Sequence, residues 1–240
     1  MHDPAEAAFP KVLIACDVFR EELEAIGFPL ERVRWVEMGL HDRPDQLRAR
    51  LQQEIDGLDA EAGDAPIPLL YGLCGGGLNG LEAHRRPLRL PRAHDCLALL
   101  IGSNEQHQDI QKKCPGTYFY SRGWIREHRV PGPDRAEWLR TLYAERYDEE
   151  MIGELIDADA DAFRHYEQAL FIRTPAAGDG EAYCQRCAKH LGWRFKAIEG
   201  DLGWLRRFLD GTADDSRCVC VPPGHTLRAT GDASIFRVEA

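Results

Sequence analysis

The 240-residue sequence predicts an α/β fold, a mostly parallel sheet with helices on both faces. Two observations predict it. Short apolar runs recur at Lys11 to Ala15, Val33 to Met38, Ile67 to Tyr71 and Leu88 to Leu90. Segments with a helical apolar stripe lie between most of them, and strands alternating with helices build βαβ units and parallel sheets.

Each element has a local reason. Lys11 to Ala15 is a short apolar run, read as a buried strand. Phe19, Leu23 and Ile26 then form a helical stripe that stops at Gly27 and Pro29. After the second strand, Asp42 is placed to cap a helix with Pro44 in its first turn. Leu47, Leu51, Ile55 and Leu58 give that helix one apolar face. Ala60 to Pro66 is an acidic loop containing glycine and proline, and Ile67 to Tyr71 and Leu88 to Leu90 are the third and fourth strands. A helix is expected over 95–101 with Asp95 as N-cap, and Ser103 with Gln106 forms a capping-box pattern for another. Thr117 to Tyr120 is a fifth strand. Residues 134–169 read as helical, in two pieces broken near Asp148 or Gly153. Ala169 to Arg173, Arg194 to Ile198 and Cys218 to Val221 are strands, with helices at Glu181 to Leu191 and Asp201 to Leu209. The expected organisation is an N-terminal α/β lobe (1–133), a helical crossover (134–169) and a smaller C-terminal α/β lobe (170–240).

The formal charge of −10 argues against nucleic acid as a partner, because phosphate binding needs a basic face. No apolar run approaches the roughly 18 residues of a membrane span. The first residues lack a basic stretch followed by an apolar one, so a cytoplasmic protein is expected. In a reducing compartment, clustered cysteines among the eight present serve as ligands or nucleophiles more often than as disulfides.

Three of these cysteines follow strand-like runs: Cys16, Cys74 and Cys96. Parallel strands would gather them, with His94, at the carboxyl edge where α/β sheets bind ligands. Neighbouring strands lie about 4.8 Å apart, and thiolates with an imidazole suit zinc or iron. Asp95, between His94 and Cys96, faces away and suits an N-cap. Gly75, Gly76 and Gly77 surround Cys74 and would let backbone crowd a bound ligand or metal. Gly75, Gly77 and Gly80 match a dinucleotide-binding pattern, but Pro87 leaves the next helix short for that role. His41 is expected at the end of the second strand, either as a loop histidine helping to cap the next helix, the preferred reading for a lone histidine, or as a ligand or general base. Glu22 and Arg122 are further candidates for contact with substrate, and Trp124 is expected near a pocket beside Arg122. Cys184 with Cys187, and Cys218 with Cys220, could form a second metal site, although both pairs sit in core-like patterns. Cys114 reads as incidental.

The strings Tyr71-Gly72-Leu73-Cys74-Gly75, Pro91-Arg92-Ala93-His94-Asp95-Cys96, Pro115-Gly116-Thr117-Tyr118 and Gly123-Trp124-Ile125 resemble the signature of a family named domain of unknown function 1638. Cys16 before a helix carrying Glu22, Leu40-His41 with Pro44, Gly200-Asp201 and Pro222-Pro223-Gly224 are similar too. The resemblance covers nearly the whole chain. It implies one-carbon or methyl-group metabolism, because the family keeps company with corrinoid methyltransferase systems in bacteria and archaea. The matching cysteines are Cys16, Cys74 and Cys96, and the other pairs fall outside the pattern.

The expected function is therefore a metal-binding protein, and an enzyme, with zinc on Cys16, Cys74, His94 and Cys96. It would act on a small-molecule substrate, with a corrinoid protein as partner and the corrinoid as that partner's cofactor. An iron–sulfur cluster on the same ligands, or a metal-delivery accessory protein, are the alternatives. A metal-free nucleophile, Cys74 or Cys96 with His94 or His41 as base, is a fourth reading.

Overall fold

The structure, a computed structural model, describes residues 9–61 and 63–240. Ala62, in the expected loop from Ala60 to Pro66, lies outside the described residues. Two compact units divide the chain. The first takes residues up to Asn104 together with Asp201–Ala240, and the second takes Glu105–Gly200.

The chain opens with β1 (Leu13–Cys16), α1 (Arg20–Ala25), β2 (Val33–Val36), α2 (Pro44–Asp59) and β3 (Ile67–Leu70). It continues through β4 (Glu82–Ala83), β5 (Leu88–Pro91) and α3 (Cys96–Ile101). The second unit follows with α4 (Asn104–Lys113, starting at the boundary residue), β6 (Thr117–Tyr120), α5 (Arg122–Arg126), α6 (Arg135–Tyr143) and α7 (Glu149–Ala162). It ends with β7 (Gln168–Arg173), α8 (Gly180–Leu191) and β8 (Arg194–Glu199). The chain then returns to the first unit with α9 (Gly203–Leu209), β9 (Cys218–Val221), β10 (His225–Ala229) and β11 (Phe236–Glu239).

The main sheet of the first unit has the order β2-β1-β3-β5-β9. Four strands are parallel, and β9 runs antiparallel to β5, with Leu90 opposite Val219. Leu13, Ile14, Ala15, Leu69 and Leu70 have no exposed surface, as expected for strands covered on both faces. Leu47, Leu51, Ile55 and Leu58 are the buried stripe of α2, at the spacing the sequence predicts. A small antiparallel sheet, β11-β10-β4, completes this unit.

The second unit has a parallel sheet, β6-β7-β8. Its core holds Tyr120, Val130, Ala169, Phe171, Cys184 and Cys187. The helices α6 and α7 lie in the crossover between β6 and β7. Their break falls at Asp148, whose carboxylate accepts the Met151 N–H at 2.9 Å and caps α7.

Several expectations are corrected. The compact units part at 104/105 and 200/201, not at the expected 133/134 and 169/170. The cause is that α9 and β9 return to the first unit, where β9 pairs with β5 rather than joining a C-terminal lobe. The second strand ends at Val36, and residues Met38–Asp42 form a 3-10 turn, so His41 sits in that turn and not on a strand end. Asp42 is not the cap of α2: Arg43 holds that position, and the Asp42 carboxylate instead meets the His41 ring at 3.1 Å. Among the described residues, no helix is long and apolar enough to cross a membrane.

Candidate functional site

The carboxyl ends of β1, β3 and β5 carry the predicted thiols. Cys16 is the last residue of β1, opposite Val36 of β2. On its other side β3 runs in register, Ala15 beside Leu70, so Tyr71 follows as the neighbour of Cys16. Tyr71 is almost wholly buried; its hydroxyl reaches the Val36 carbonyl at 3.5 Å and hydrogen-bonds the Cys16 thiol.

Beyond β3 and β5 the backbone pairing continues into the loops. The Leu73 N–H donates to the Ala93 carbonyl at 2.9 Å, and the Cys74 N–H to the His94 carbonyl at 3.0 Å. This close approach requires glycine at position 72, where a Cβ would lie 2.5 Å from the Asp95 Cα. Asn104 clamps the other side of the same segment: its Nδ2 donates to the Arg92 carbonyl at 2.7 Å and its Oδ1 accepts from His94 N–H at 3.1 Å. Asp95 caps α3, accepting the Ala98 N–H at 2.9 Å, as the sequence predicts. Cys96 is buried in the first turn of α3.

Cys74 is held in a left-handed backbone conformation, φ 46°, and Gly75 and Gly76 follow with φ 66° and 94°. Non-glycine residues adopt this region at a cost and concentrate at functional sites when they do. The Cys74–Gly76 turn leads into further turns and β4 rather than a helix, so the dinucleotide pattern lacks the helix start that binds pyrophosphate. Gly75 instead lies against the turn bearing His41: its Cβ position is 3.7 Å from the His41 carbonyl. Gly77 is packed on Leu47, with a Cβ position 2.5 Å from that side chain.

Burial pushes the Cys74 thiol well above the ordinary thiol range, and the neighbouring Cys16 and Asp95 push it the same way. The backbone N–H groups of Gly72 and Cys96 oppose them. The Tyr71 phenol is raised by burial, then by Cys16, Cys74 and Glu37. Tyr71 and Glu37 are site residues that sequence reading missed. Tyr71 stands within the string around Cys74, but it reads there as the apolar end of a strand.

The other candidates scatter. His41 hydrogen-bonds the Met38 carbonyl through Nδ1 and meets Asp42 through Nε2. Glu22 is fully buried on α1. Arg122 lies in the second unit, at the start of α5, ion-paired with Asp179. Trp124, beside it, packs on the core of that unit, edge-on to Tyr118. Cys184 and Cys187 fill the second unit's core, and burial raises both thiols, Cys187 to about 11 against hydrogen bonding by Tyr183. Cys218 is buried on β9 and Cys220 exposed.

Zinc needs four donors, commonly thiolate or imidazole. The Cys16 and Cys74 thiols suit it in kind. In number they fall short: among the described residues no group of three or more His, Cys, Asp or Glu side chains is arranged to hold a metal ion. The Cys16, Cys74, His94, Cys96 set therefore does not form a closed four-donor site as placed.

Residues 35–209, more than half of the chain, match a family described as protein of unknown function (DUF1638). No curated protein and no solved structure matches significantly. The matched span includes Cys74, His94 and Cys96 but not Cys16. The chain belongs to the DUF1638 family.

Proposed function

We propose that this protein binds a soft cation, zinc, at the carboxyl edge of its main sheet and serves methyl-group chemistry there. Cys16 and Cys74 are the primary ligands, and Cys96 and His94 are the further donors. The observation that carries this reading is the charge around the two sulfurs. Cys16, Asp95 and Glu37, which raise Cys74 or Tyr71, all carry negative charge when ionised. Such a setting attracts a cation and disfavours an anionic ligand. A bound zinc ion would supply a charge that releases the thiol protons and would leave thiolates as ligands.

The chain's own residues have defined parts in this reading. Tyr71 orients Cys16, and the N–H groups of Gly72 and Cys96 orient the Cys74 sulfur. Gly72 and Asn104 hold the 92–96 segment, which carries the third and fourth donors, next to Cys74. His41, whose turn lies against Gly75, serves the substrate side, while Glu22, buried on α1, and Arg122, paired with Asp179, are not used. The methyl-group assignment rests on the family's company with corrinoid methyltransferase systems, with a corrinoid protein as partner.

Elemental analysis of protein purified without oxygen or chelators tests the proposal. About one equivalent of zinc in a colourless protein is the expected result. A brown protein containing iron would replace zinc by an iron–sulfur cluster on the same ligands. A His94→Ala variant that fails to fold, rather than losing activity alone, would favour a closed metal-delivery site.

A second reading has an observation in its favour, the lack of a three-donor group among the described residues. In it, Cys74 or Cys96 is a metal-free nucleophile. Metal-free protein in which one thiol is alkylated much faster than the rest would support it. Against it stands the setting of the half-buried Cys74, where desolvation and the neighbouring Cys16 and Asp95 disfavour the thiolate.

A further inference from the structure

The opposite edge of the main sheet holds a cleft of about 590 Å³, at the amino-terminal ends of β1, β3 and β5. Pro66, Pro68, Phe208 and Leu209 give it apolar walls, and Arg86 and Arg89 line it as well. Arg86 is only 7 % exposed. Its Nε donates to the Ala65 carbonyl at 2.8 Å and its Nη1 to the Leu58 carbonyl at 3.1 Å. Arg89 donates to the Phe208 carbonyl at 2.7 Å and lies over the Phe208 ring.

Carbonyls thus satisfy part of each guanidinium, which has five N–H donors. Among the described residues, neither arginine has a carboxylate as ion-pair partner. The carbonyl ends of α2 and α9 offset some of the charge, since a helix C-terminus is partly negative. A nine-tenths-buried cation still lacks a full counter-ion, and such a charge is costly to leave unpaired.

We infer that this cleft binds a small organic monocarboxylate, with its carboxylate on Arg86 and its apolar body against Pro66, Pro68 and Phe208. The size suits it, since small-molecule sites commonly measure about 300–1,000 Å³. The acids at the cleft set the ligand's charge. Glu61 is paired with Arg34, Asp210 accepts from Thr212, and the exposed Asp64 and Lys11 on the wall carry opposite charges. Arg86 is left to take one carboxylate, the charge a monocarboxylate brings. This site stands apart from the thiols and does not depend on the cation reading.

The full-length protein is titrated with acetate, butyrate and benzoate, with acetamide, butyramide and benzamide, and with inorganic phosphate. Binding is read by ligand-observed NMR and thermal shift. At least one acid is expected to saturate, about tenfold tighter than its amide, as a charge-assisted hydrogen bond to arginine requires. Arg86→Gln is expected to remove that preference. If Arg86→Gln does not fold, the comparison of acid with amide in the unaltered protein decides. Equal binding of acids and amides, tighter binding of phosphate, or no saturation by any acid would overturn the inference.

Discussion

Cys74 has its backbone in a conformation that glycine adopts freely and other residues do not, φ 46°. For an L-residue the left-handed region costs about 1 kcal/mol. Cys74→Gly is therefore expected to be more stable than Cys74→Ala by about 1 kcal/mol in urea unfolding, although both remove the thiol. Equal stability would mean that the turn relaxes without cost. Gly72 shows the opposite constraint. Its φ is ordinary for any residue, but the Asp95 backbone occupies the space a Cβ would need. Gly72→Ala is expected to lose about 1–3 kcal/mol, the usual range for overpacking, and to disturb Cys74 and His94 together. Amide shifts of both loops in NMR would show that coupling. Neither requirement is visible in composition, yet Gly72 and Cys74 stand two apart in a string the sequence singles out.

At the level of elements, the site depends on loops that continue strand pairing. Asn104, the first residue of α4, holds the segment after β5 by two hydrogen bonds to backbone. Asn104→Ala is expected to destabilise the protein by about 1–3 kcal/mol, because the Arg92 carbonyl and His94 N–H lose their partner. Asn104→Asp restores one bond only and should fall between the two, as measured by chemical denaturation. The parallel strands β1, β2, β3 and β5 and the helix α2 were legible in the sequence because short apolar runs and a single apolar stripe report burial directly. The α3 cap at Asp95 was legible for a local reason, since a cap involves residues three apart. The place of β9 was not. Its run of Cys218, Val219 and Val221 announces a strand, but pairing with β5 joins residues far apart in the chain, and periodicity holds no such information. The turn around His41 was missed because the apolar pattern reads on through Met38.

Across the whole molecule, burial raises the thiols of Cys74, Cys184, Cys187 and Cys218 and the phenols of Tyr71, Tyr118, Tyr120 and Tyr183. In the unfolded chain a thiol loses its proton near its ordinary pKa of about 8.5. The folded state keeps the proton, so above that pH the unfolded state binds fewer protons and stability falls as pH rises. For Cys187 the loss runs from the ordinary thiol range up to about 11. Urea unfolding should weaken steadily above about pH 8.5, by up to roughly 1.4 kcal/mol per pH unit for each of the core thiols Cys184 and Cys187, and a flat profile would mean these groups are hydrated. The shared edge of Cys16, the Cys74 loop and the 92–96 segment was legible because strand ends in parallel sheets lie together. Their incomplete approach was not legible, since it depends on side-chain placement in the 92–96 segment. The most direct test of the central proposal is cobalt(II) titration of metal-free protein under anaerobic conditions, with Cys16→Ser and Cys74→Ser as comparisons. The account predicts uptake of about one equivalent with a thiolate-to-cobalt charge-transfer band, lost in either variant. Absence of stoichiometric uptake, or a band unchanged by both substitutions, would contradict it.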